Sequence, residues 1–412
     1  MKKAIALLIA LMMIVGLTAC GSTPASAPAA TQAPAEKPAE QASAEAPANE
    51  LETFKIGTNQ DLSGSISVMG RGLVNGMQLA VDNINAAGGI DGRKVELAAI
   101  YDVKTDVNEA ITATERLVKV DKVHAIINSQ VSNIGLAMTS ISEELGVPQI
   151  SVWGDPRIEV NEDGTLNRWL FAYQPTAPQV SVIECNYMME EMGIKKYGVL
   201  ALQDNAYAMS MVDGITSWAE EHAAEGAEIV NIQYYKSTDT DVKTQCAKLV
   251  ESTRSGGAEA LFVTGNTSST AVAMTQLYQA GCNVPVTGTS DFQPNWGELV
   301  EPEVANNIYL FDNVNSSSDD CKGFVEQYKQ VYGEAPVTKA FLGYDMVYVL
   351  CEAVRQAGSV EPEAIRNALE NNIHDMKLLV GNFSIDPATH FPDASVWIYR
   401  LENGQYIPVK QW

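Results

Sequence analysis

Small polar residues gather where predicted strands end. Apolar, strand-like runs are followed by loops that carry hydroxyl, amide or carboxylate side chains, at residues 61–67, 128–132, 153–155, 203–207 and 288–291. Together with free backbone N–H groups, such side chains can hold a small polar ligand. In open α/β sheets, ligands bind beyond the carboxyl ends of the strands. The pattern therefore predicts a ligand site assembled from strand-end loops.

The sequence motifs of common enzyme classes do not occur. The four histidines form no HExxH pattern, and no GxSxG pattern is present. Asp102 and Asp106 could pair as catalytic carboxylates, although solvated loop residues are the commoner case. No CxxC or other metal-ligand spacing occurs. We therefore expect a protein that is not an enzyme and that needs no metal or other cofactor.

The first 20 residues have the pattern of an export signal. Lys2 and Lys3 precede an apolar run, residues 4–15, which is shorter than the roughly 20 residues of a membrane-spanning helix. The run closes with LTAC, which resembles the lipobox of bacterial lipoproteins and would make Cys20 the lipidation site. A cleaved signal with a chance cysteine is the alternative. The Ala/Pro/Glu-rich segment that follows predicts a disordered tether over residues 21–52.

Net charge and chain length limit the possible binding partners and the number of domains. The formal net charge is −24, and it becomes −26 once Lys2 and Lys3 leave with the signal. A surface this acidic argues against binding to nucleic acid or to anionic lipid. The residues after the tether exceed what one hydrophobic core usually supports, so two domains are expected. Beyond Cys20, the chain has five scattered cysteines, which we expect to be mostly free thiols.

Strand and helix patterns alternate along the chain from residue 54. Residues 54–102 form a strand–helix–strand unit, and the alternation continues to residue 152 and restarts over residues 197–311. Two such runs predict an α/β protein with two doubly wound parallel sheets, and a ligand cleft between them. Asn403-Gly404, between two strand-like runs, predicts a C-terminal hairpin.

One family resemblance covers most of the chain. The residues DLSG at 61–64, Gly70, and GMQLAVDNINAAGGIDGRKV at 76–95 resemble the leucine/isoleucine/valine-binding proteins, which are type I solute-binding proteins of ABC transporters. The resemblance implies the type I periplasmic binding protein fold, with two lobes joined by three crossing segments near residues 173–176, 311–315 and 389–393. Lobe one would then be residues 53–174 and 314–390, and lobe two residues 175–313 and 391–412.

The resemblance also assigns ligand contacts in lobe one. Ser132 matches a serine that binds the ligand carboxylate, although it could simply cap a helix. Trp153, Gly154 and Asp155 match a second anchor loop, in which Asp155 replaces the usual threonine. If Asp155 faces the cleft, the ligand carries a cation there; a solvent-facing Asp-Pro turn is the alternative.

In lobe two, the resemblance points to Asp291 for the ligand ammonium, beside Ser290, with a surface turn as the alternative. Tyr207 matches an aromatic residue of the cleft. Three more candidates, Ser65, Met69 and Gln130, would line the side-chain pocket. Trp153, Tyr101 and Tyr344 would supply apolar or cation–π walls, and burial as ordinary core is the alternative for each.

The expected function is therefore that of an extracytoplasmic lipoprotein that delivers a branched-chain or related amino acid to an ABC permease. Its partners would be the ligand, the permease and, through the lipid anchor, the membrane. A different amine or amide-type ligand is one alternative, which Asp155 suggests. A sensory receptor on the same scaffold, with no transporter, is another.

Overall fold

The computed structural model describes residues 51–292, 294–394 and 396–412. The predicted signal peptide with Cys20, and the tether up to residue 50, lie outside these ranges. Within them, no helix combines the length and the apolar character needed to cross a bilayer.

Five parallel strands form the first sheet. They are β1 (Phe54–Gln60), β2 (Val95–Asp102), β3 (Ala125–Ile127), β4 (Gln149–Ser151) and β5 (Leu170–Ala172), in the order β2-β1-β3-β4-β5. The helices between them are α1 (Ser67–Ala86), α2 (Val107–Lys119), α3 (Ser132–Met138) and α4 (Ser142–Leu145). The sequence predicted one helix where α3 and α4 lie, and it did not predict β5, which is a buried strand of only three residues.

The second sheet repeats this arrangement with four more helices. Its parallel strands are β6 (Lys196–Leu202), β7 (Glu228–Tyr235), β8 (Ala260–Val263), β9 (Val286–Gly288) and β10 (Ile308–Asp312). The helices are α5 (Ala177–Met192), α6 (Ala206–Glu221), α7 (Lys243–Arg254) and α8 (Thr267–Gln279). Helix α5, which the sequence did not predict, packs on this sheet, and its buried residues include polar Ser181 and Glu184. Its apolar pattern is therefore weak.

The next elements return to the first sheet. They are α9 (Asp319–Tyr332), α10 (Thr338–Ala357), α11 (Pro362–Asn372) and a small antiparallel sheet of β11 (Met376–Leu378), β12 (Gly381–Ile385) and β13 (Pro392–Ala394). Phe324 on α9 and Phe341 on α10 share one hydrophobic core with Phe54 and Ile56 of β1. The Asp345 carboxylate of α10 accepts a hydrogen bond from the Tyr173 hydroxyl, at 3.0 Å.

The chain ends on the second sheet, as a hairpin. Strands β14 (Trp397–Glu402) and β15 (Gln405–Gln411) add to β10 in antiparallel fashion, and give the order β15-β14-β10-β9-β8-β6-β7. The second sheet is thus mixed and not purely parallel, because the predicted hairpin joins it at one edge. The five cysteines of the described residues are free thiols, as expected.

The chain passes three times between the elements of the two sheets, after β5, after β10 and after β13. The predicted third crossing, residues 389–393, overlaps β13, which still pairs with β12.

Helices α1 and α10 pack with their backbones in close contact. A Cβ atom on Gly76 would lie 1.9 Å from the Ala340 carbonyl oxygen, and one on Gly343 would lie 2.2 Å from the Leu73 carbonyl oxygen. Carbonyl oxygens cannot rotate away as a flexible side chain can. Only glycine therefore permits this helix spacing.

We expect Gly76→Ala to lower the free energy of unfolding by about 2 kcal/mol or more, because the added methyl group forces the two helices apart. Gly323→Ala is the matched control, since Gly323 lies in α9 and its Cβ would meet no atom within 4 Å. That control should change stability little or raise it by about 0.5–1 kcal/mol. Urea unfolding measures both. Equal effects of the two substitutions would contradict the account of the α1–α10 contact.

Candidate functional site

A cavity of about 300 Å³ lies at the carboxyl ends of the strands of both sheets. Each of the strands β1 to β9 contributes a residue from its end or from the following loop. The structure brings together six of the predicted site residues: Ser65, Gln130, Ser132, Tyr207, Ser290 and Asp291. Polar residues that were not predicted also line the cavity, among them Asn133, Gln174, Asp204, Asn205, Asn266 and Lys339.

Two carboxylates shape the loop that carries Ser65. The Asp61 carboxylate accepts hydrogen bonds from the backbone N–H groups of Gly64, at 2.5 Å, and Ile66, at 3.0 Å. The Asp102 carboxylate accepts one from the Ser63 hydroxyl, at 2.5 Å. Asp106 instead caps α2. Asp102 and Asp106 therefore have separate structural roles, and they do not act as a catalytic pair.

Ser132 is positioned by Gly154. The Gly154 N–H donates to the Ser132 Oγ at 3.1 Å, so the serine hydroxyl hydrogen stays available to a ligand. The residue at the N-cap of α3 is Val131, and no side chain caps that helix end. Ser132 therefore does not cap a helix, which was its alternative role. A carboxylate contact stays a prediction.

Gly154 supports the site from outside the cavity. Its N–H is already used by Ser132, and its carbonyl oxygen accepts from the Ala177 N–H at 2.6 Å. A Cβ atom at Gly154 would lie 2.6 Å from Cε2 of the Tyr207 ring. The glycine thus lets Tyr207 reach across from the second sheet, in place of the direct ligand contact that we expected.

Asp155 and Trp153 do not line the cavity, contrary to the expectation. Asp155 is fully buried, and its carboxylate binds the Arg157 guanidinium, with distances of 3.0 Å to Nε and 2.6 Å to Nη2. Its charge is therefore balanced within the protein and does not call for a cationic ligand. Trp153 is buried in an apolar cluster with Ile134 and Ile158, and its indole N–H donates to Glu159.

Met69, Tyr101 and Tyr344 are also absent from the lining of this cavity. Met69 lines a neighbouring pocket, which shares Ser65 and Ile66 with this cavity. The Tyr101 hydroxyl donates to the Asp121 carboxylate at 2.7 Å. The Tyr344 hydroxyl accepts from Asn83 and packs against the first-sheet core. Each of the two tyrosines thus has a hydrogen-bond partner within its own half of the protein, and the walls predicted for them are not formed in this cavity.

Among the described residues, two buried polar atoms of the cavity have no partner within hydrogen-bond geometry. They are Nε2 of Gln130 and the hydroxyl oxygen of Tyr207. A buried polar group without a partner costs free energy, and such groups in native proteins usually meet a ligand or water. Burial also raises the pKa of the Tyr207 hydroxyl, so this group is a neutral donor at physiological pH. Both atoms are suited to a ligand with hydrogen-bond acceptors.

Asp291 carries a carboxylate that already has protein partners. It accepts from the Thr267 hydroxyl at 3.1 Å and from the Thr289 hydroxyl at 3.2 Å. Burial raises the pKa of Asp291, while the positive charge of Lys339 acts in the opposite direction. The carboxylate can still accept further hydrogen bonds, so an ammonium contact stays a prediction. Its neighbour Ser290 is buried beside it.

Lys339 is the cavity residue that sequence reasoning missed. It lies in the first turn of α10, and only 8% of its surface is exposed. Burial lowers its pKa, and the carboxylates of Asp291 and Asp312 counteract that effect. The available signal was a lysine at the start of the apolar helical run TKAFLGYDMVYVL. Nothing in that pattern indicated that the helix begins at the ligand cavity.

Asn133 links the two sides of the cavity. Its Oδ1 accepts from the Ala206 N–H at 2.8 Å, and its Nδ2 donates to the Asp204 carbonyl oxygen at 3.4 Å. Ala206 is the first residue of α6, where backbone N–H groups have no partner inside the helix. A side chain of α3 thus satisfies the helix start of the opposite half.

Comparisons with known proteins agree with this geometry. A sequence model of the periplasmic binding protein family matches residues 53–405. A Leu/Ile/Val-binding protein homolog of Brucella abortus is 27% identical over 384 residues, which cover 88% of this chain and 92% of that protein. The branched-chain amino acid substrate-binding protein LivJ of Streptococcus pneumoniae, solved with isoleucine, superposes with a TM-score of 0.75 at 27% identity, over 87% of this chain and 99% of LivJ. The leucine-binding protein LivK of Thermotoga maritima superposes with a TM-score of 0.75 at 23% identity, over 87% of this chain and 98% of LivK, and indicates the shared fold.

Proposed function

Because the chain belongs to the periplasmic binding protein family, we propose that it binds a branched-chain or related amino acid in the described cavity and delivers it to an ABC permease. The observation that carries this proposal is the convergence of strand-end polar groups on one cavity. Two of these groups have a buried atom without a partner in the described part of the chain. The isoleucine complex of LivJ supports the choice of ligand class.

The family consists of solute-binding proteins, so the prediction that this protein is not an enzyme is confirmed by its membership. The geometry agrees, since Asp102 and Asp106 are engaged in shaping a loop and a helix start. The task of the cavity is therefore to bind and release its ligand unchanged.

Ligand binding is proposed to close two lobes, residues 53–174 with 314–390 and residues 175–313 with 391–412. The three chain crossings are the proposed hinges. In hinge motions, a few loop or element-terminal residues absorb the change in backbone angles, and the crossings are such segments. The ligand would contact both halves only when they are together, and so would favour the closed state. Asn133 would form its two hydrogen bonds to α6 in that closed state.

Membership of the family implies an extracytoplasmic location. We place the protein at the membrane surface through a lipid on Cys20, because LTAC follows an apolar run of export-signal length. The lipid would keep the binding protein close to its permease.

Amino acids should stabilise the protein if they are its ligands. The protein is unfolded and refolded first, to remove small molecules that co-purify. Leucine, isoleucine and valine are then tested by thermal shift, and an excess of 100 times Kd should contribute about 2.7 kcal/mol. Ser132→Ala, which removes a hydroxyl from the cavity, should reduce the shift. If no proteinogenic amino acid raises the melting temperature of the correctly refolded protein, amino acids are ruled out as its ligands.

Removal of the Asn133 side chain should weaken ligand binding. Asn133→Ala deletes two hydrogen bonds of the closed state, so the affinity should fall by about three- to tenfold. The control is Asn371→Ala, since the Asn371 side chain donates to the Asn367 carbonyl oxygen of its own helix and to no other described residue. Isothermal titration measures both. An unchanged affinity in Asn133→Ala would remove this contact from the closing mechanism.

Lipidation predicts a clear difference between two forms of the chain. The full-length protein expressed in a bacterium should incorporate labelled fatty acid and sediment with membranes, while Cys20→Ser should do neither. Fatty-acid label in the Cys20→Ser protein, or no label in the wild type, would contradict lipidation at Cys20.

A further inference from the structure

Lys339 places a buried cation in the ligand cavity, and the proposed function so far gives it no role. Its side chain is 8% exposed and lines the cavity. Burying an ammonium group is costly unless hydrogen bonds or an opposite charge compensate for it. The compensation must therefore come from the protein or from the ligand.

The protein supplies little of it. The one hydrogen bond of the Lys339 ammonium within the described residues runs to Oε1 of Gln174, at 3.4 Å. That oxygen is shared, because Nδ2 of Asn313 also approaches it, at 3.5 Å. An ammonium group has three donor hydrogens. At least two of them thus have no acceptor among the residues that the structure describes.

The neighbouring carboxylates do not form ion pairs with Lys339 either. Asp312 accepts hydrogen bonds from the hydroxyls of Thr338, at 2.7 Å, and Tyr406, at 2.6 Å. Asp291 accepts from two threonine hydroxyls. Neither carboxylate lies within the 4.0 Å of an ion pair with the ammonium group in the described part of the chain. Both act on Lys339 only from a distance.

Apart from the Asp291 carboxylate, which can still accept hydrogen bonds, several groups of the cavity are unused donors. They include the Lys339 ammonium, Nε2 of Gln130 and the hydroxyl of Tyr207. The Ser132 hydroxyl adds another donor, because its oxygen already accepts from Gly154. The fitting ligand is therefore rich in acceptors, and next to Lys339 an anionic acceptor is favoured.

We propose that Lys339 is a specificity-determining residue that binds a carboxylate of the ligand. The group is either the α-carboxylate of the ligand or a side-chain carboxylate of an acidic amino acid. This proposal rests on the proposed function, which places the ligand in this cavity. It adds that the ligand presents a negative charge to α10. It also reverses the earlier expectation of an additional cation, since Asp155 is already paired with Arg157.

The test compares ligands that differ only in one carboxylate. Leucine and leucinol differ at the α-carboxylate, and glutamate and glutamine differ at the side chain. Lys339→Met keeps the length of the side chain and removes a buried charge, so the variant should fold. Lys339→Arg retains the charge, and Lys329→Met is the control, because Lys329 is exposed on α9.

In isothermal titration, Lys339→Met should weaken binding of the carboxylate-bearing member of one pair by roughly ten- to a hundredfold. Binding of its carboxylate-free partner should change little. The pair that responds identifies which carboxylate Lys339 binds. Lys339→Arg should retain part of the preference, and Lys329→Met all of it. Equal losses for both members of each pair, or no loss at all, would overturn the proposal.

The proposal and the proposed function can fail separately. If none of the four probes binds the wild type, the molecule that co-purifies is identified by mass spectrometry. A carboxylic acid without an amino group would overturn the amino acid assignment and support the role of Lys339. A ligand without any acidic group would overturn the role of Lys339. If wild type and Lys339→Met bind leucine equally well, and also bind glutamate equally well, only the role of Lys339 would be overturned.

Discussion

Helices α1 and α10 lie so close that glycines on each face carbonyl oxygens of the other. This contact decides where the first turn of α10 lies, and with it Lys339. Helix α1 begins seven residues after the end of β1, at the edge where the ligand cavity forms. Because α10 is held tightly against α1, its first turn also reaches that edge. The spacing between two backbones thus fixes the position of the cavity's buried positive charge.

The polar groups around the cavity divide into those that build it and those left for a ligand. Asp61, Asp102, Asp155 and Asp312 are engaged by backbone groups, hydroxyls or a guanidinium. These carboxylates already have hydrogen-bond partners, so their presence says little about the ligand. The groups left for a ligand include several donors, beside the Asp291 carboxylate. Counting partners atom by atom therefore describes the ligand better than counting acidic and basic residues does.

The sequence predicted those parts of the fold and site that depend on local pattern. Helices α9 and α10 were predicted with the observed limits, and the loops with Ser65, Ser132, Tyr207 and Asp291 meet because parallel strands end at one edge. The direction of a side chain depends on distant partners, as Tyr344 with Asn83 illustrates. Lys339 was missed for the same reason, because a contact between residues far apart in the sequence places it. The family resemblance was confirmed, but it carries no information on residues that depart from the family pattern.

The contact of Asn133 with α6 has a consequence for release. The Ala206 N–H and the Asp204 carbonyl oxygen lie at a helix start. In the proposed opening of the two halves, water would replace the asparagine there. Such an exchange of partners has a net free energy of about 0.5–1.5 kcal/mol per hydrogen bond, far below the strength of the bond itself. The Asn133 contact is therefore directional but contributes little binding free energy. In the proposed closed state, it would align the two halves and leave the lifetime of the complex to the ligand.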